Sequence, residues 1–233
     1  MHDHVVMVTG GGRGIGRAIC QRFAEAGATV IAAARSDGDL AETQGLVETA
    51  GGVCRVMKTD VTRVEELDAL VAMADREFGR IDVLVNNAGK AEHSPMDDFD
   101  PDTFDRMVAV NINAVFYACR AVWPIMRRRG EGVIVNISSV AAIDPFPGFA
   151  AYGATKCFVN GFTQALAKEG TPHGIRVYGV GPGAVDTQML RGPFPDFPDD
   201  QCLQPRDIAE AVWLMTQPAC RYSTGQTIYV SKT

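Results

Sequence analysis

The hydrophobic pattern of the chain alternates between short apolar runs and longer segments with helical spacing. The apolar runs are rich in valine and isoleucine, and most are apolar throughout. Such runs are typical of strands that are buried on both faces of a parallel sheet. They are Val5–Thr9, Thr29–Ala34, Val53–Lys58, Ile81–Asn86, Val133–Ser138, Ile175–Val180 and Gln226–Val230.

Helix start and stop signals lie between these runs. Residues 62–65 (Thr-Arg-Val-Glu) have the spacing of a capping box, and Gly79 marks the end of the helix that follows. The pair Asp100-Pro101 predicts the start of a long helix that ends near Gly130, and Pro205 predicts another helix start. The pattern is therefore one of strands and helices in turn.

Strict alternation of seven strands with helices predicts an α/β fold. Parallel neighbours require right-handed crossovers, so we expect a single doubly wound, seven-stranded parallel sheet with helices on both faces. No linker divides residues 1–233, which predicts one domain. Residues 188–204 fit no element and carry three prolines and two phenylalanines. They have the length of a loop over a site, and an ordinary surface excursion is the alternative.

Composition and charge narrow the class of protein. With 46% apolar and 21% charged residues, the 233-residue chain is neither disordered nor a disulfide scaffold. A net charge of −6 argues against nucleic acid as a partner. The longest apolar run, Ala114–Cys119, is far too short to cross a membrane. The six cysteines lack metal-ligand spacing and are interpreted as core residues, which predicts a cytoplasmic protein without a metal.

A glycine-rich turn follows the first predicted strand. Residues 9–16 read Thr-Gly-Gly-Gly-Arg-Gly-Ile-Gly and lead into an amphipathic segment. Glycines permit a tight turn and let the backbone approach a pyrophosphate, whose charge the helix N-terminus meets. Many nucleotide-binding and methyl-donor-binding proteins carry such a turn, so on its own it does not identify the ligand.

Several motifs in order resemble the short-chain dehydrogenase/reductase family. The glycine turn is similar to the family's T-G-x-x-x-G-x-G, and Asn86–Gly89 reads N-N-A-G. Tyr152 and Lys156 are similar to the family's tyrosine–lysine pair and follow Ser139 at the family's offset. The resemblance covers nearly the whole chain, and short forms such as the 3-oxoacyl-acyl-carrier-protein reductases are similar. The chain departs from the family's V-D-G-G at Val230–Thr233.

The resemblance implies a Rossmann fold that holds a nicotinamide dinucleotide. In the family, Asp60 would meet the adenine, while Val185 and Thr187 would hold the nicotinamide carboxamide. The implied cofactor-binding residues are Gly10, Gly12, Arg13, Gly14, Ile15, Gly16, Ala34, Arg35, Asp60, Val61, Asn87, Ala88, Gly89, Tyr152, Lys156, Pro182, Gly183, Val185 and Thr187.

The end of the second predicted strand selects between the two nicotinamide cofactors. A carboxylate there would bind the free ribose 2′-hydroxyl of NAD, but the position falls on Ala34, with Arg35 next. A guanidinium can instead bind the 2′-phosphate of NADP, and Arg13 is a second candidate for that contact. Asp37 and Asp39 are interpreted as residues of a solvated loop. We therefore predict NADP(H).

The resemblance also implies a catalytic set formed by Asn111, Ser139, Tyr152 and Lys156. Tyrosine has an ordinary pKa of about 10 and is a poor acid or base at neutral pH. The Lys156 ammonium, four residues on, and the positive ring of the oxidised cofactor are expected to lower the pKa of Tyr152. In the family this tyrosine exchanges the proton, and Ser139 would fix the substrate oxygen. Lys156 would contact the nicotinamide ribose, and Asn111 would hold a water.

The leading hypothesis is an NADP(H)-dependent oxidoreductase that interconverts a carbonyl and a secondary alcohol. A non-catalytic dinucleotide-sensing protein on the same fold is the alternative, and the tyrosine–lysine pair disfavours a methyltransferase. A mainly apolar site predicts a small, hydrophobic or acyl-type substrate. The residues predicted to line it are Ile143, Phe146, Phe149, Met189, Leu190, Phe194 and Phe197.

Other polar features are interpreted more simply. The four histidines, among them His93, show no metal spacing and are interpreted as surface residues. Arg127–Arg129 form either a solvated helix end or a docking patch for an acidic acyl carrier protein. Members of the resembled family assemble as dimers or tetramers, so we expect a homodimer or a homotetramer and no membrane partner.

Overall fold

The apolar runs of the chain form one parallel sheet in a computed structural model that describes residues 1–232. The strands are β1 (Val5–Thr9), β2 (Thr29–Ala34), β3 (Val53–Lys58), β4 (Val83–Asn86), β5 (Gly132–Ile137), β6 (Ile175–Pro182) and β7 (Thr227–Val230). Their spatial order is β3-β2-β1-β4-β5-β6-β7, and all six neighbouring pairs are parallel. The predicted α/β, doubly wound, seven-stranded fold is confirmed. Thr233, the last residue of the departing C-terminal motif, lies outside the described residues.

Helices cover both faces of this sheet. They are α1 (Gly14–Glu25), α2 (Asp37–Thr49), α3 (Val64–Phe78), α4 (Pro101–Val108), α5 (Ala114–Arg129), α6 (Ala150–Gly170), α7 (Gln188–Arg191) and α8 (Pro205–Thr216). One apolar core joins the sheet to α1, α2 and α8, and the other joins it to α3, α5 and α6. Because β1, β4 and β5 are buried along their whole length, they have no polar alternation. The edge strands β3 and β7 are partly exposed.

The long predicted helix is divided by a π-helical turn. Its start is as predicted, since Asp100 caps the helix by accepting a hydrogen bond from the Thr103 amide. Its end is also as predicted, because Gly130 adopts the left-handed conformation, with φ of 70°. Between α4 and α5, Ala109–Asn113 form a π-helical turn that the pattern did not predict. Such turns are frequent at functional sites, and this one carries Asn111.

The stretch from Pro101 to Arg129 is long and apolar enough to cross a membrane by length and composition alone. Such a test is also passed by core helices of water-soluble folds. Here its apolar side packs inside the protein, where Met107, Val122 and Met126 are fully buried. The stretch is thus a core element of the sheet's second face.

Two sequence interpretations are wrong at helix starts. The capping box at residues 62–65 does not form, because the Thr62 hydroxyl donates to the Asp60 carboxylate and α3 begins without a side-chain cap. Asp37 and Asp39 do not lie on a solvated loop. They occupy the first turn of α2, where the helix dipole favours negative charge.

The predicted loop at residues 188–204 contains local structure. It begins with the short helix α7 and includes a 3₁₀ turn at Asp199–Gln201. A parallel bridge pairs Val185 with Leu203, so the two ends of the segment lie together. The segment is therefore a folded flap and not an irregular loop.

The cysteines are free thiols, and most of them are core residues. Four are buried, and Cys220 is half-buried. Cys157 is exposed, so its interpretation as a packed thiol is wrong. Its Sγ lies 3.1 Å from the Ala142 carbonyl oxygen.

A buried polar chain fixes α6 on the sheet. Asn86 Nδ2 donates to Asn136 Oδ1 at 2.8 Å, and Asn136 Nδ2 donates to Thr163 Oγ1 at 2.9 Å. All three side chains are buried, so each hydrogen bond replaces one that water would otherwise make. The chain joins β4, β5 and α6 and sets the position of α6 relative to the end of β5.

Asn136→Ala is expected to lower the free energy of unfolding by about 2 to 4 kcal/mol, because two buried polar partners lose their hydrogen bonds. The control is Asn160→Ala, which removes a hydrogen bond to the Tyr229 hydroxyl near the surface. It should cost less than about 1 kcal/mol. Urea denaturation measures both, and equal losses would contradict the role of the buried chain.

Candidate active site

The glycine turn forms a cradle between β1 and α1. Gly10 and Gly14 adopt left-handed conformations, with φ of 65° and 53°. A Cβ at Gly16 would lie 2.1 Å from the Gly10 carbonyl oxygen, so the turn closes only with glycine there. Arg13, the residue before α1, makes no side-chain cap, which leaves the first amides of the helix without side-chain partners. These amides suit a phosphate, so the residues present fit a dinucleotide.

Two residues that the sequence analysis missed hold this turn in place. Arg17 donates to the Gly12 carbonyl oxygen at 2.7 Å and forms a two-pronged ion pair with Glu42. The buried Thr43 hydroxyl lies 3.0 Å from the same carbonyl oxygen. No sequence spacing marks this role, because the contact depends on how α2 packs against α1.

The N-N-A-G motif joins the turns that follow β1 and β4. Asn87 Nδ2 donates to the Thr9 and Gly10 carbonyl oxygens at 3.0 and 3.1 Å. The Thr9 hydroxyl in return accepts from the Asn87 and Ala88 amides at 3.1 and 3.2 Å. A Cβ at Gly89 would lie 3.8 Å from Lys156 Nζ, so this segment also reaches α6.

The ends of β2 and β3 bring Arg35 and Asp60 into electrostatic contact. Burial alone would raise the pKa of Asp60. Hydrogen bonds from the amide and hydroxyl of Thr62, together with the charges of Arg35 and Arg63, lower that pKa overall. Arg35 itself is exposed. Val61, next to Asp60, is buried.

A carboxylate lies closer to the glycine turn than the sequence indicated. A Cβ at Gly12 would be 2.9 Å from Asp39 Cβ and 3.4 Å from Ala34 Cβ. Asp37, in contrast, is exposed and pairs with Lys58 at 2.9 Å. Ala34 and Gly12 therefore lie together, with Asp39 as an additional neighbour.

The segment after β6 faces the glycine turn. Strand β6 continues to Pro182, two residues beyond the predicted end at Val180. The Gly183 amide donates to the Val230 carbonyl oxygen at 2.8 Å. Beyond it, the Thr187 methyl carbon would lie 3.3 Å from a Cβ at Gly14. Thr187 thus borders the same cradle as the turn.

Ser139, Tyr152 and Lys156 meet at the carboxyl end of β5. The buried Lys156 Nζ donates to the Ile137 carbonyl oxygen at 2.9 Å and lies 5.7 Å from the Tyr152 ring centroid. The Ser139 Oγ accepts from the Ala141 amide at 3.1 Å and lies 3.5 Å from the Pro182 carbonyl oxygen. The same hydroxyl is near enough to the Tyr152 phenol to lower its pKa. Ser138, the neighbouring serine, instead points to the Lys156 carbonyl oxygen.

Burial controls the protonation of this group. It raises the pKa of Tyr152, and the hydrogen bond with Ser139 only partly opposes the effect. Desolvation disfavours the charged phenolate, which explains the direction. The predicted lowering also includes the positive ring of the oxidised cofactor, and it stays a prediction for the complex with that cofactor. Burial also lowers the pKa of Lys156 to about 8. The pKa values of the two groups are therefore further apart than those of free tyrosine and lysine, and Lys156 loses its proton before Tyr152 does.

Asn111 braces the site from the π-helical turn. Its Oδ1 accepts from the Lys90 amide at 2.9 Å, and its Nδ2 donates to the Lys90 carbonyl oxygen at 2.8 Å. The same Nδ2 donates to Thr155 Oγ1 at 3.0 Å, and this hydroxyl donates to the Tyr152 carbonyl oxygen. The Asn111 side chain therefore links the segment after β4 to the start of α6.

Aromatic rings lie beside Tyr152. The Phe149 ring centroid is 5.8 Å from that of Tyr152 and 6.2 Å from that of Phe194. His93 lies 5.1 Å from Phe149 and 5.3 Å from Phe194, so it belongs to this group, a role that the sequence analysis missed.

The other predicted lining residues are less enclosed. Ile143 and Phe146 are 61% and 70% exposed, and Met189 is also exposed. Leu190 and Phe197 are half-buried in the flap.

The arginine run at the end of α5 is largely neutralised. Arg128 pairs with Asp75 at 2.6 Å, and Arg129 pairs with Glu131 at 2.6 Å. These contacts favour the interpretation as a helix end over a basic docking patch. Within residues 1–232, no group of three or more His, Cys, Asp or Glu side chains could hold a metal ion.

A glycine turn at a helix N-terminus, on the carboxyl edge of a doubly wound parallel sheet, defines the Rossmann class of dinucleotide-binding folds. The profile of the short-chain dehydrogenase family matches residues 4–196. An uncharacterised oxidoreductase of Staphylococcus aureus is 37% identical, over 93% of this chain and 92% of its own. A 3beta-hydroxysteroid dehydrogenase of Eggerthella lenta is 38% identical, over 97% of this chain and 91% of its own.

Two solved structures share the whole fold. Actinorhodin polyketide ketoreductase with NADPH has a TM-score of 0.93 at 32% identity, over 98% of this chain and 95% of that one. The 3-ketoacyl-(acyl-carrier-protein) reductase of Brucella melitensis with NADH has a TM-score of 0.91 at 32% identity, over 99% and 97%. The chain belongs to the short-chain dehydrogenase family and is an oxidoreductase of that family, as predicted.

Lys156→Met tests the lowered pKa of the buried lysine. Between its folded pKa of about 8 and its ordinary value of 10.5, only the unfolded chain holds the extra proton. Stability of the native protein therefore rises with pH in this window. From pH 7 to 9 the wild type should gain about 1 kcal/mol relative to the variant. Urea denaturation at both pH values measures this, and a constant difference would contradict it.

Proposed function

We propose that this protein is an NADP(H)-dependent oxidoreductase that interconverts a carbonyl and a secondary alcohol. The meeting of Ser139, Tyr152 and Lys156 beside the glycine turn carries the proposal. These residues combine a hydrogen-bond donor, a proton donor and a buried cation. Such a set fits reduction of a carbonyl, where negative charge develops on oxygen.

Tyr152 is the proposed general acid and base. The phenol is protonated at neutral pH, so its hydroxyl can donate a proton to the substrate oxygen during reduction. Burial makes it a weaker acid, so the transfer depends on groups that stabilise the phenolate. Ser139 holds the same oxygen by a hydrogen bond, which also fixes its distance from Tyr152. NADPH, when bound, supplies the hydride.

Lys156 and Asn111 are proposed to complete the catalytic set. The buried ammonium of Lys156 offers its remaining donors to the nicotinamide ribose and stabilises the Tyr152 phenolate after proton transfer. Asn111 fixes the Lys90 backbone and, through Thr155, the start of the helix that carries Tyr152. Its contribution is positioning.

The proposed cofactor is NADP(H), held by the residues that the family resemblance implies. Glycine-turn amides bind the pyrophosphate, and Thr187 on the opposite side of the cradle contacts the nicotinamide end. Arg35 is exposed beyond Ala34, where it can bind a 2′-phosphate, with Arg13 as a second donor. Asp39 is the one carboxylate near the turn that opposes this preference.

The proposed substrate is a small hydrophobic or acyl-type molecule, bound under the flap, with residues 1–233 acting as one domain. Exposed aromatic rings on α5 and α6 support a homodimer or homotetramer. Phe158 and Phe162 stack with centroids 5.6 Å apart, and Phe116 lies 6.1 Å from Phe162. Free cysteines agree with a cytoplasmic location.

Tyr152→Phe should reduce turnover by roughly 1,000-fold or more, because it removes the proton donor and keeps the ring. NADPH binding, followed by fluorescence, should change less than about twofold. The control is Tyr222→Phe, since Tyr222 is 86% exposed and remote from the site. Substantial residual activity would reject Tyr152 as the acid. NADPH binding without turnover of any carbonyl by the wild type would favour the dinucleotide-sensing alternative.

Arg35→Asp should shift the NADPH-to-NADH ratio of kcat/KM by roughly 10- to 100-fold toward NADH, because one charge-assisted hydrogen bond is lost. Arg55→Asp makes the same charge change at an exposed arginine on β3 and should leave the ratio unaltered. Steady-state kinetics with both cofactors measure the effect. An equal preference in the wild type, or no shift in Arg35→Asp, would disprove the assignment.

A further inference from the structure

Three aromatic side chains form a continuous surface next to Tyr152. We call His93, Phe149 and Phe194 the aromatic lip. Their centroid separations of 5.1, 5.3 and 6.2 Å are those of edge-to-face and tilted ring contacts. Phe149 is also 5.8 Å from the Tyr152 ring. A molecule whose oxygen reaches the Tyr152 hydroxyl therefore has these rings along its side.

The aromatic lip joins the three loops that follow β4, β5 and β6. The His93 ring nitrogen Nε2 lies 3.2 Å from the Pro147 carbonyl oxygen, and the Ser94 amide donates to the Gly148 carbonyl oxygen at 3.0 Å. Gly148 has a φ of 86°, and a Cβ there would lie 2.6 Å from the His93 ring. These contacts with Pro147 and Gly148 position the His93 imidazole between Phe149 and Phe194.

These same loops carry the negative charge of the protein. Residues 90–100, 139–149 and 183–204 contain nine carboxylates and two basic side chains, while the whole chain has a net charge of −6. The remainder of the chain is therefore close to neutral. Both basic side chains, Lys90 and Arg191, already pair with carboxylates of their own loops. Three cations contact the loops from outside, which are fewer than the seven excess carboxylates: Arg106 at Asp100, Lys232 at Asp200 and Arg13 at Gln188. A substrate that carries phosphates or carboxylates meets repulsion at this entrance.

We infer that the aromatic lip determines specificity and that the substrate is an uncharged ketone or secondary alcohol whose reacting carbon is attached to a ring. This inference rests on the proposed function and deepens it. A ring gains edge and face contacts with the lip that a linear chain of equal size lacks. An acyl group carried by an anionic cofactor or an acidic protein is disfavoured by the charge of the entrance.

The first test compares three uncharged ketones of eight carbons with NADPH: acetophenone, acetylcyclohexane and 2-octanone. The wild type should show a kcat/KM for both ring ketones about 10-fold above that for 2-octanone. A preference for 2-octanone, or turnover of acetoacetyl-coenzyme A alone, overturns the inference and leaves the proposed reductase activity intact. No turnover of any carbonyl counts against the proposed function itself.

Variants of the lip separate ring recognition from general apolar burial. Phe149→Leu and Phe194→Leu should each lower the ratio of kcat/KM for acetophenone to kcat/KM for 2-octanone by roughly 3- to 10-fold. The reason is that leucine keeps the apolar volume of phenylalanine without its ring. Tyr222→Leu, which removes a remote exposed ring, should leave the ratio unchanged. An unchanged ratio in both lip variants overturns the inference, provided that circular dichroism shows folded protein.

The imidazole of His93 is tested by two replacements. His93→Phe keeps the ring contacts, so the ratio of kcat/KM for acetophenone to that for 2-octanone should stay close to the wild-type value. His93→Leu should lower this ratio as much as Phe149→Leu and Phe194→Leu do. Equal behaviour of the two replacements would show that the ring at position 93 does not contribute.

The charge of the entrance is tested with 4-acetylbenzoate, which adds one carboxylate to acetophenone. Its kcat/KM should be lower than that of acetophenone. The difference should narrow between about 0.01 M and 1 M salt, as the Debye length falls from about 30 Å to about 3 Å. Equal values for the two ketones at low salt would remove the electrostatic part of the inference.

Discussion

The site depends on one buried ammonium. Lys156 donates to the Ile137 carbonyl oxygen from inside the protein, so the helix that carries it is tied to the end of the central strand β5. Burying this charge is unfavourable, and the lowered pKa of Lys156 records that penalty. The fold tolerates it because the polar chain through Asn136 holds α6 and β5 together independently. The Lys156 side chain thus both ties α6 to β5 and supplies the positive charge of the site.

Local patterns predicted the fold well, because its determinants are local. Apolar runs such as Val5–Thr9 have the length and the valine content of strands with two buried faces. The turn before Gly14 needs glycine for steric reasons. Parallel strands then leave one handedness of connection. The misplaced elements share a different origin. The π-helical turn carries Asn111, whose side chain bonds to Lys90 and Thr155, both distant in sequence. The flap is closed by the bridge between Val185 and Leu203.

The sequence motifs located the parts of the candidate site that depend on local backbone geometry. They did not predict the parts that depend on contacts between side chains from different elements. Arg17 and Thr43 support the glycine turn through contacts that no spacing indicates. His93 is exposed, as the sequence indicated. Its ring contacts could not be predicted, because Phe149 and Phe194 are 56 and 101 positions away. Burial, which a sequence does not give, raises the pKa of the Tyr152 phenol in the protein alone.

The last strand brings the end of the described chain beside the flap. Gly183 pairs with Val230, and Lys232 Nζ donates to the Asp200 carbonyl oxygen at 2.8 Å. The Met1 amino group, by contrast, donates to the Ala26 carbonyl oxygen, near the edge where the strands begin. An affinity tag placed after Lys232 would therefore crowd the substrate entrance. A tag placed before Met1 would lie on the opposite side of the molecule and leave that entrance free.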